Sequence, residues 1–190
     1  MPTAILRKEV ITGKIACRIS AVAAFVILTS LGAFVRIPLP FTPVPFTLQT
    51  FFVLLSGALL GAGLGSLSQS LYLLLGIGGI SLFSGASAGT LYLCGPTGGY
   101  LVGFILASLF IGRTMPRVKE NMFFAFGALM AGDIILLCCG TLWLKILLGL
   151  PLARAFLLGF LPFLPGDIVK AILAAALYLK FRSRLKQVLF

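Results

Sequence analysis

Asp167 and Lys170 lie three positions apart within an apolar stretch, Phe163-Leu-Pro-Gly-Asp-Ile-Val-Lys170-Ala-Ile-Leu173. On a helix beginning after Pro165-Gly166 they share one face. Ionisable groups at membrane depth are costly, and they face a bundle interior or a water-filled cavity where they mark a substrate or ion path. The plain alternative is an internal ion pair that only fixes packing, or a lysine whose ammonium reaches back to the interface. Asp133, in Met130-Ala-Gly-Asp-Ile-Ile-Leu136, is a second such carboxylate with no cation within a helical turn. Its alternative is a bundle-end aspartate capped by backbone or water.

Neutral groups add to this set. Gln49, in Phe46-Thr-Leu-Gln-Thr50, offers a donor and an acceptor, for a ligand or for a bond between helices. In Cys94-Gly-Pro-Thr-Gly-Gly-Tyr100, Pro96 suits a first helical turn, Thr97 follows it, and Gly98 and Gly99 allow a ligand or backbone close. Tyr100 adds an amphipathic ring, which an interfacial aromatic belt explains equally well. Ala16, Ser20 and Ala24 recur every four residues as a small-residue stripe, the kind of surface on which another helix packs closely in lipid.

The elements that must hold these residues are membrane spans. Hydrophobic residues make up 60% of the chain and charged residues 10%, against about 45–50% and about 25% in soluble domains. From Ile37 to Gly112 there is no Lys, Arg, Asp, Glu or His, several times the ~20 apolar residues that cross a bilayer. The expected architecture is an all-α integral membrane protein, one domain over 1–190, with six transmembrane helices near 14–34, 47–61, 65–78, 97–114, 120–148 and 153–181. The break inside the uncharged block is set at Gly61–Gly65. Ile37–Pro45 holds four prolines and reads as a stiff extended connector. Residues 79–96, rich in Gly and Ser and containing Phe83 and Ser87, read as a long loop over the bundle.

The net charge of +11 is topological rather than a nucleic-acid signature. Eleven of the 15 Lys/Arg fall in three clusters: Arg7, Lys8, Lys14 and Arg18; Arg113, Arg117 and Lys119; and Lys180, Arg182, Arg184 and Lys186. Six spans place all three on one side, which the positive-inside rule makes cytoplasmic, with both termini there and the two connectors outside. The amino-terminal cluster resembles a signal-peptide n-region, but the apolar run after it is long and lacks a small-x-small cleavage site, so it is expected to stay as a helix. Four cysteines, Cys17, Cys94, Cys138 and Cys139, have no C-x-x-C spacing and read as free thiols. With no histidine and no P-loop, the sequence points away from an enzyme, a metal site or a cofactor. Glu9 and Glu120 flank the spans.

Pro40-Phe-Thr-Pro-Val-Pro-Phe-Thr-Leu-Gln-Thr50, Gly95-Pro-Thr-Gly-Gly-Tyr100 and Pro162-Phe-Leu-Pro-Gly-Asp-Ile-Val-Lys170, in this order and over nearly the whole chain, resemble the BioY family. These are the biotin-binding S-components of energy-coupling-factor (ECF) transporters. The resemblance implies a six-helix bundle in the cytoplasmic membrane whose pocket opens outward beneath the 79–96 loop. It implies substrate contacts from Asp167, Lys170, Gln49, Ser87, Tyr100, Phe83 and Thr97. It also implies that Ala16, Ser20 and Ala24 meet a transmembrane coupling protein, while two cytoplasmic ATPases use the ATP.

Biotin carries two ureido N–H donors, a ureido carbonyl, a thioether and an acidic tail. Asp167 is expected to accept from a ureido N–H and Lys170 to donate to the ureido oxygen or the carboxylate. An unpaired buried polar group costs about 1–3 kcal/mol, so such a pocket rejects ligands without the ureido ring. Dethiobiotin keeps that ring, lacks the thioether, and satisfies the same pair. The family loop often carries an asparagine where this chain has Gly85-Ala-Ser87-Ala-Gly89, which makes the reach of Ser87 shorter. A competing expectation is an ion-coupled secondary transporter in which Asp133 or Asp167 takes up a proton.

Overall fold

The computed structural model describes residues 2–117 and 121–189, with side chains over 13–117 and 121–183. Lys119 and Glu120 lie outside the described residues, as do the side chains of Arg7, Lys8, Glu9, Arg184 and Lys186. The described chain runs α1 (Pro2–Phe34), β1 (Arg36–Ile37), β2 (Phe46–Thr47), α2 (Gln49–Ile77), α3 (Thr90–Leu93), α4 (Gly98–Thr114), a 3₁₀ turn (Met115–Arg117), α5 (Met122–Leu148), α6 (Leu152–Gly159) and α7 (Leu164–Leu189). It thus holds seven α-helices among the described residues, where the sequence suggested six. Four helical segments are long and apolar enough to cross a membrane, and a fifth arises if α6 and α7, bent by 51°, form one span.

The differences from expectation have local causes. The spans expected at 47–61 and 65–78 appear without a loop between them, because Gly61 alone turns the chain with φ 76° and ψ −179°. The two arms of α2 then run back along one another: Gln49 bonds Tyr72, Gln69 bonds Ser56, and Gly65 rests against Gly57. A conformation outside the helical basin at φ > 0 suits glycine, which has no Cβ to clash. The span expected at 153–181 is interrupted at residues 160–163. There Pro162 has no N–H for an α-helical ladder, and α7 begins at Leu164 with Pro165 and Gly166 in its first turn. The proline connector is a loop whose ends pair as antiparallel strands, with Arg36 opposite Thr47 and Ile37 opposite Phe46. The 79–96 loop contains α3.

The packing differs from that of a soluble protein in having an apolar exterior as well as an apolar core. Ile19, Ile27, Leu31, Leu74, Ile146 and Val169 face outward, while Thr29, Ser56, Ser68, Gln69, Ser108, Asp133 and Asp167 are buried. Such an apolar exterior is the surface that lipid covers, and polar groups inside it bond to one another. The bundle has two cores. One unites Phe25, Leu54, Leu129, Ala171 and Ala174. The other unites Val53, Tyr72, Phe104, Leu136 and Phe163 and supports the site. Tyr178 donates to the Met115 carbonyl at 3.4 Å, so the late part of α7 and the end of α4 share one end of the bundle. The β-pair, the 79–96 loop and the α6–α7 bend occupy the other.

Gly61→Val is expected to cost about 1–3 kcal/mol by forcing a branched residue into this conformation. Gly63→Ala, with nothing near its added methyl, should leave thermal unfolding in detergent unchanged; equal melting temperatures for the two variants would show that α2 does not need the turn.

Candidate functional site

At the end of the bundle that carries the connectors, the start of α2, the start of α4, the middle of α5, the start of α7 and the two loops enclose a cavity. About 490 Å³ of empty space lies in it and at its mouth, open solvent included. Its wall is mostly apolar: Val44, Pro45, Leu101, Phe104, Leu136 and Phe163. A few polar groups converge on it.

The centre of those is Lys170. Its ammonium donates to Asp167 Oδ1 at 2.8 Å, to Thr50 Oγ1 at 2.6 Å and to the Thr47 carbonyl at 2.6 Å. It also lies 3.8 Å from the centre of the Phe46 ring, a cation–π contact. Thr50 donates in turn to Asp167 Oδ1 at 3.1 Å. All three N–H donors of the ammonium are therefore engaged, and Asp167 and Lys170 are 1% and 5% exposed. The i,i+3 spacing on α7 places the pair, and β2 brings the Thr47 carbonyl to it. Asp167 Oδ2 is buried without a partner, so this oxygen is the acceptor left for a guest.

Gln49, Thr97 and Tyr100 also line the cavity. Gln49 Nε2 donates to the Tyr72 hydroxyl at 2.6 Å, and that hydroxyl donates to the Leu82 carbonyl at 3.1 Å. This chain fastens the 79–96 loop to α2. Tyr100 is a wall of the cavity whose hydroxyl donates to the Gly159 carbonyl at 2.6 Å. Its ring lies so close to Gly140 that a Cβ there would overlap it.

Two other residues are elsewhere. Phe83 is fully buried, 4.9 Å from Tyr92 and 5.7 Å from Tyr72 between ring centres, and anchors the loop from behind. Ser87 accepts from the Phe83 N–H through its carbonyl at 3.0 Å and is not among the residues lining the cavity. Ser84 occupies that place, buried and with Oγ unpartnered. Spacing carried no signal for Ser84, because Gly85 at φ 82° and Ala86 at φ 55° set the direction of the loop. Thr50 stood within a motif already noted, but only the fold reveals that it bridges the ion pair.

Asp133 is fully buried on α5, with no bond to either carboxylate oxygen. It sits one turn before Leu136 and Leu137, which line the cavity. Ala16, Ser20 and Ala24 are exposed on the outer face of α1, away from the cavity. Among the described residues, no three His, Cys, Asp or Glu gather as a metal site, and the four cysteines are free thiols.

The family model described as "BioY family" matches residues 7–187. "Probable biotin transporter BioY" of Pyrococcus horikoshii is 42% identical over 153 residues, covering 80% of this chain and 88% of its own. "Biotin transporter BioY" of Thermotoga maritima is 39% identical over 159 residues, covering 84% and 92%. Among solved structures, the S-component for biotin from an ECF-type ABC transporter superposes with a TM-score of 0.84 at 27% identity, over 88% of this chain and 92% of that one.

Removing one member of a buried pair strands the other's charge and costs about 3–5 kcal/mol, whereas replacing both is close to neutral. Lys170→Met is therefore expected to lower the melting temperature in detergent sharply, and the double variant Asp167→Asn/Lys170→Met to recover most of the loss. A double variant no more stable than Lys170→Met alone would show that the pair is not what couples α7 to α2.

Proposed function

The chain belongs to the BioY family, and on that premise we propose that it captures biotin as the substrate-binding subunit of an ECF transporter. The observation that carries this reading is Asp167 Oδ2, a buried acceptor with no protein partner beside a lysine whose three donors are occupied. A ureido N–H supplies the missing donor. Lys170 then acts first by holding Asp167 in place, and it reaches the ureido oxygen only by exchanging one of its present acceptors. The apolar wall formed by Leu101, Phe104, Leu136 and Phe163 suits the thiophane ring and the methylene tail.

The rest of the reading concerns topology and partners. The two arms of α2 and the bent α6–α7 pair serve, with α1, α4 and α5, as six membrane segments. The basic residues Arg18, Arg113, Arg117, Lys180 and Arg182 then face the cytoplasm with both termini, and the cavity opens outside. Ala16, Ser20 and Ala24, exposed and small, are the surface for a transmembrane coupling protein, and two ATPases drive the cycle. The chain itself is a transporter subunit with no catalytic role and needs no cofactor.

Equilibrium titration of the purified protein in detergent tests the pocket. Wild type is expected to bind biotin and dethiobiotin, and Asp167→Asn to weaken both by about tenfold or more, the cost of one lost hydrogen bond to a charged group. Folded wild type that ignores biotin would overturn the substrate. Uptake that persists without ATP but collapses with the proton gradient would favour coupling through Asp133 instead.

A further inference from the structure

One cation at the cavity's end has no work in the pocket described so far. Arg36 sits on β1 opposite Thr47, whose carbonyl receives Lys170, and its side chain is exposed. Its guanidinium crosses to the 79–96 loop and lies against Gly85, where an added Cβ would collide with Nη1. Arg36 thus spans the seam between the loop that contributes Val44 and Pro45 to the cavity and the loop that contributes Ser84. Among the described residues the guanidinium has no ion-pair or hydrogen-bond partner.

The neighbouring residue has the complementary feature. Ser84 lines the cavity, is 7% exposed, and its Oγ has no bond. The Ser84 hydroxyl in the cavity wall and the Arg36 guanidinium, which lies against the next residue, Gly85, both lack an acceptor. Among the described residues no carboxylate is paired with Arg36; the ion pair near the cavity is Lys170 with Asp167. Lys145 in the last turn of α5 and Arg154 on α6, the helix that leads into the α6–α7 bend, add positive potential towards that end of the bundle.

We propose that Arg36 and Ser84 form a carboxylate subsite at the mouth of the cavity, which takes the acidic tail of the ligand while Asp167 holds its polar head. This rests on the biotin reading and refines it. Lys170, already bonded to three acceptors, is released from the role of carboxylate ligand. Because the guanidinium rests on the tip of the covering loop, binding the tail there also ties that loop to the β-pair. The site therefore selects for a charged tail.

The test is titration of the full chain in detergent with biotin and with biotinamide, in which a neutral amide replaces the carboxylate. Wild type is expected to prefer biotin by about tenfold to a hundredfold, the range for a charge-assisted hydrogen bond. Arg36→Gln should remove most of that preference by weakening biotin alone, and Ser84→Ala should act in the same direction. Retained biotinamide binding shows that each variant is folded. Equal wild-type affinity for the two ligands, or an Arg36→Gln variant that weakens both alike or neither, would overturn the subsite and leave the biotin pocket standing. Failure of wild type to bind either ligand would overturn both.

Discussion

Lys170 is where the helices and the site meet. An ammonium group taken out of water must recover its hydration, and here it does so through a carboxylate on its own helix, a hydroxyl on α2, a carbonyl on β2 and the face of Phe46. Each acceptor comes from a segment that must be in place for the others to be. The same four contacts set the start of α7 against the start of α2, and they leave one oxygen of Asp167 without a donor. Stability of the junction and an acceptor left without a donor come from one arrangement, on a residue that lines the cavity.

Around this centre the membrane imposes a second constraint. With apolar side chains already content in lipid, helices are held by close backbone approach and by internal polar bonds. The α2 hairpin shows both: Gly57 and Gly65 let its arms touch, and Gln69 bonds Ser56 between them. The cavity side uses a related device. The chain from Gln49 through Tyr72 to the Leu82 carbonyl binds the loop, and the Tyr100 bond to Gly159 binds the α6–α7 bend. Residues that looked like ligand contacts in the sequence therefore spend most of their polar capacity holding the walls.

Similarity to the BioY family extends over residues 7–187, a range that includes both the bundle and the connectors at the cavity. Ser84 and Arg36 lie in connectors, where backbone direction and not helix packing decides what a side chain reaches. The exposed stripe of Ala16, Ser20 and Ala24 occupies a face of the bundle apart from the cavity.

Composition, charge clusters and the long uncharged block determined by themselves that this is a multi-pass helical membrane protein, because a bilayer admits few other solutions for such a chain. The three-residue spacing of Asp167 and Lys170 determined that they share a face, since helix geometry is local. Tertiary structure decided the rest. Whether Gly61 makes a turn of one residue, whether Thr47 and Thr50 surround the lysine, and whether Ser84 or Ser87 enters the cavity depend on contacts between segments far apart in sequence. Phe83 and Ser87 illustrate this: their types suited a binding loop, but in a turn with left-handed backbone at Gly85 and Ala86 the residue that lines the cavity is Ser84. No periodicity encodes that direction, because it follows from how the loop closes on Tyr72, Tyr92 and the rest of the bundle.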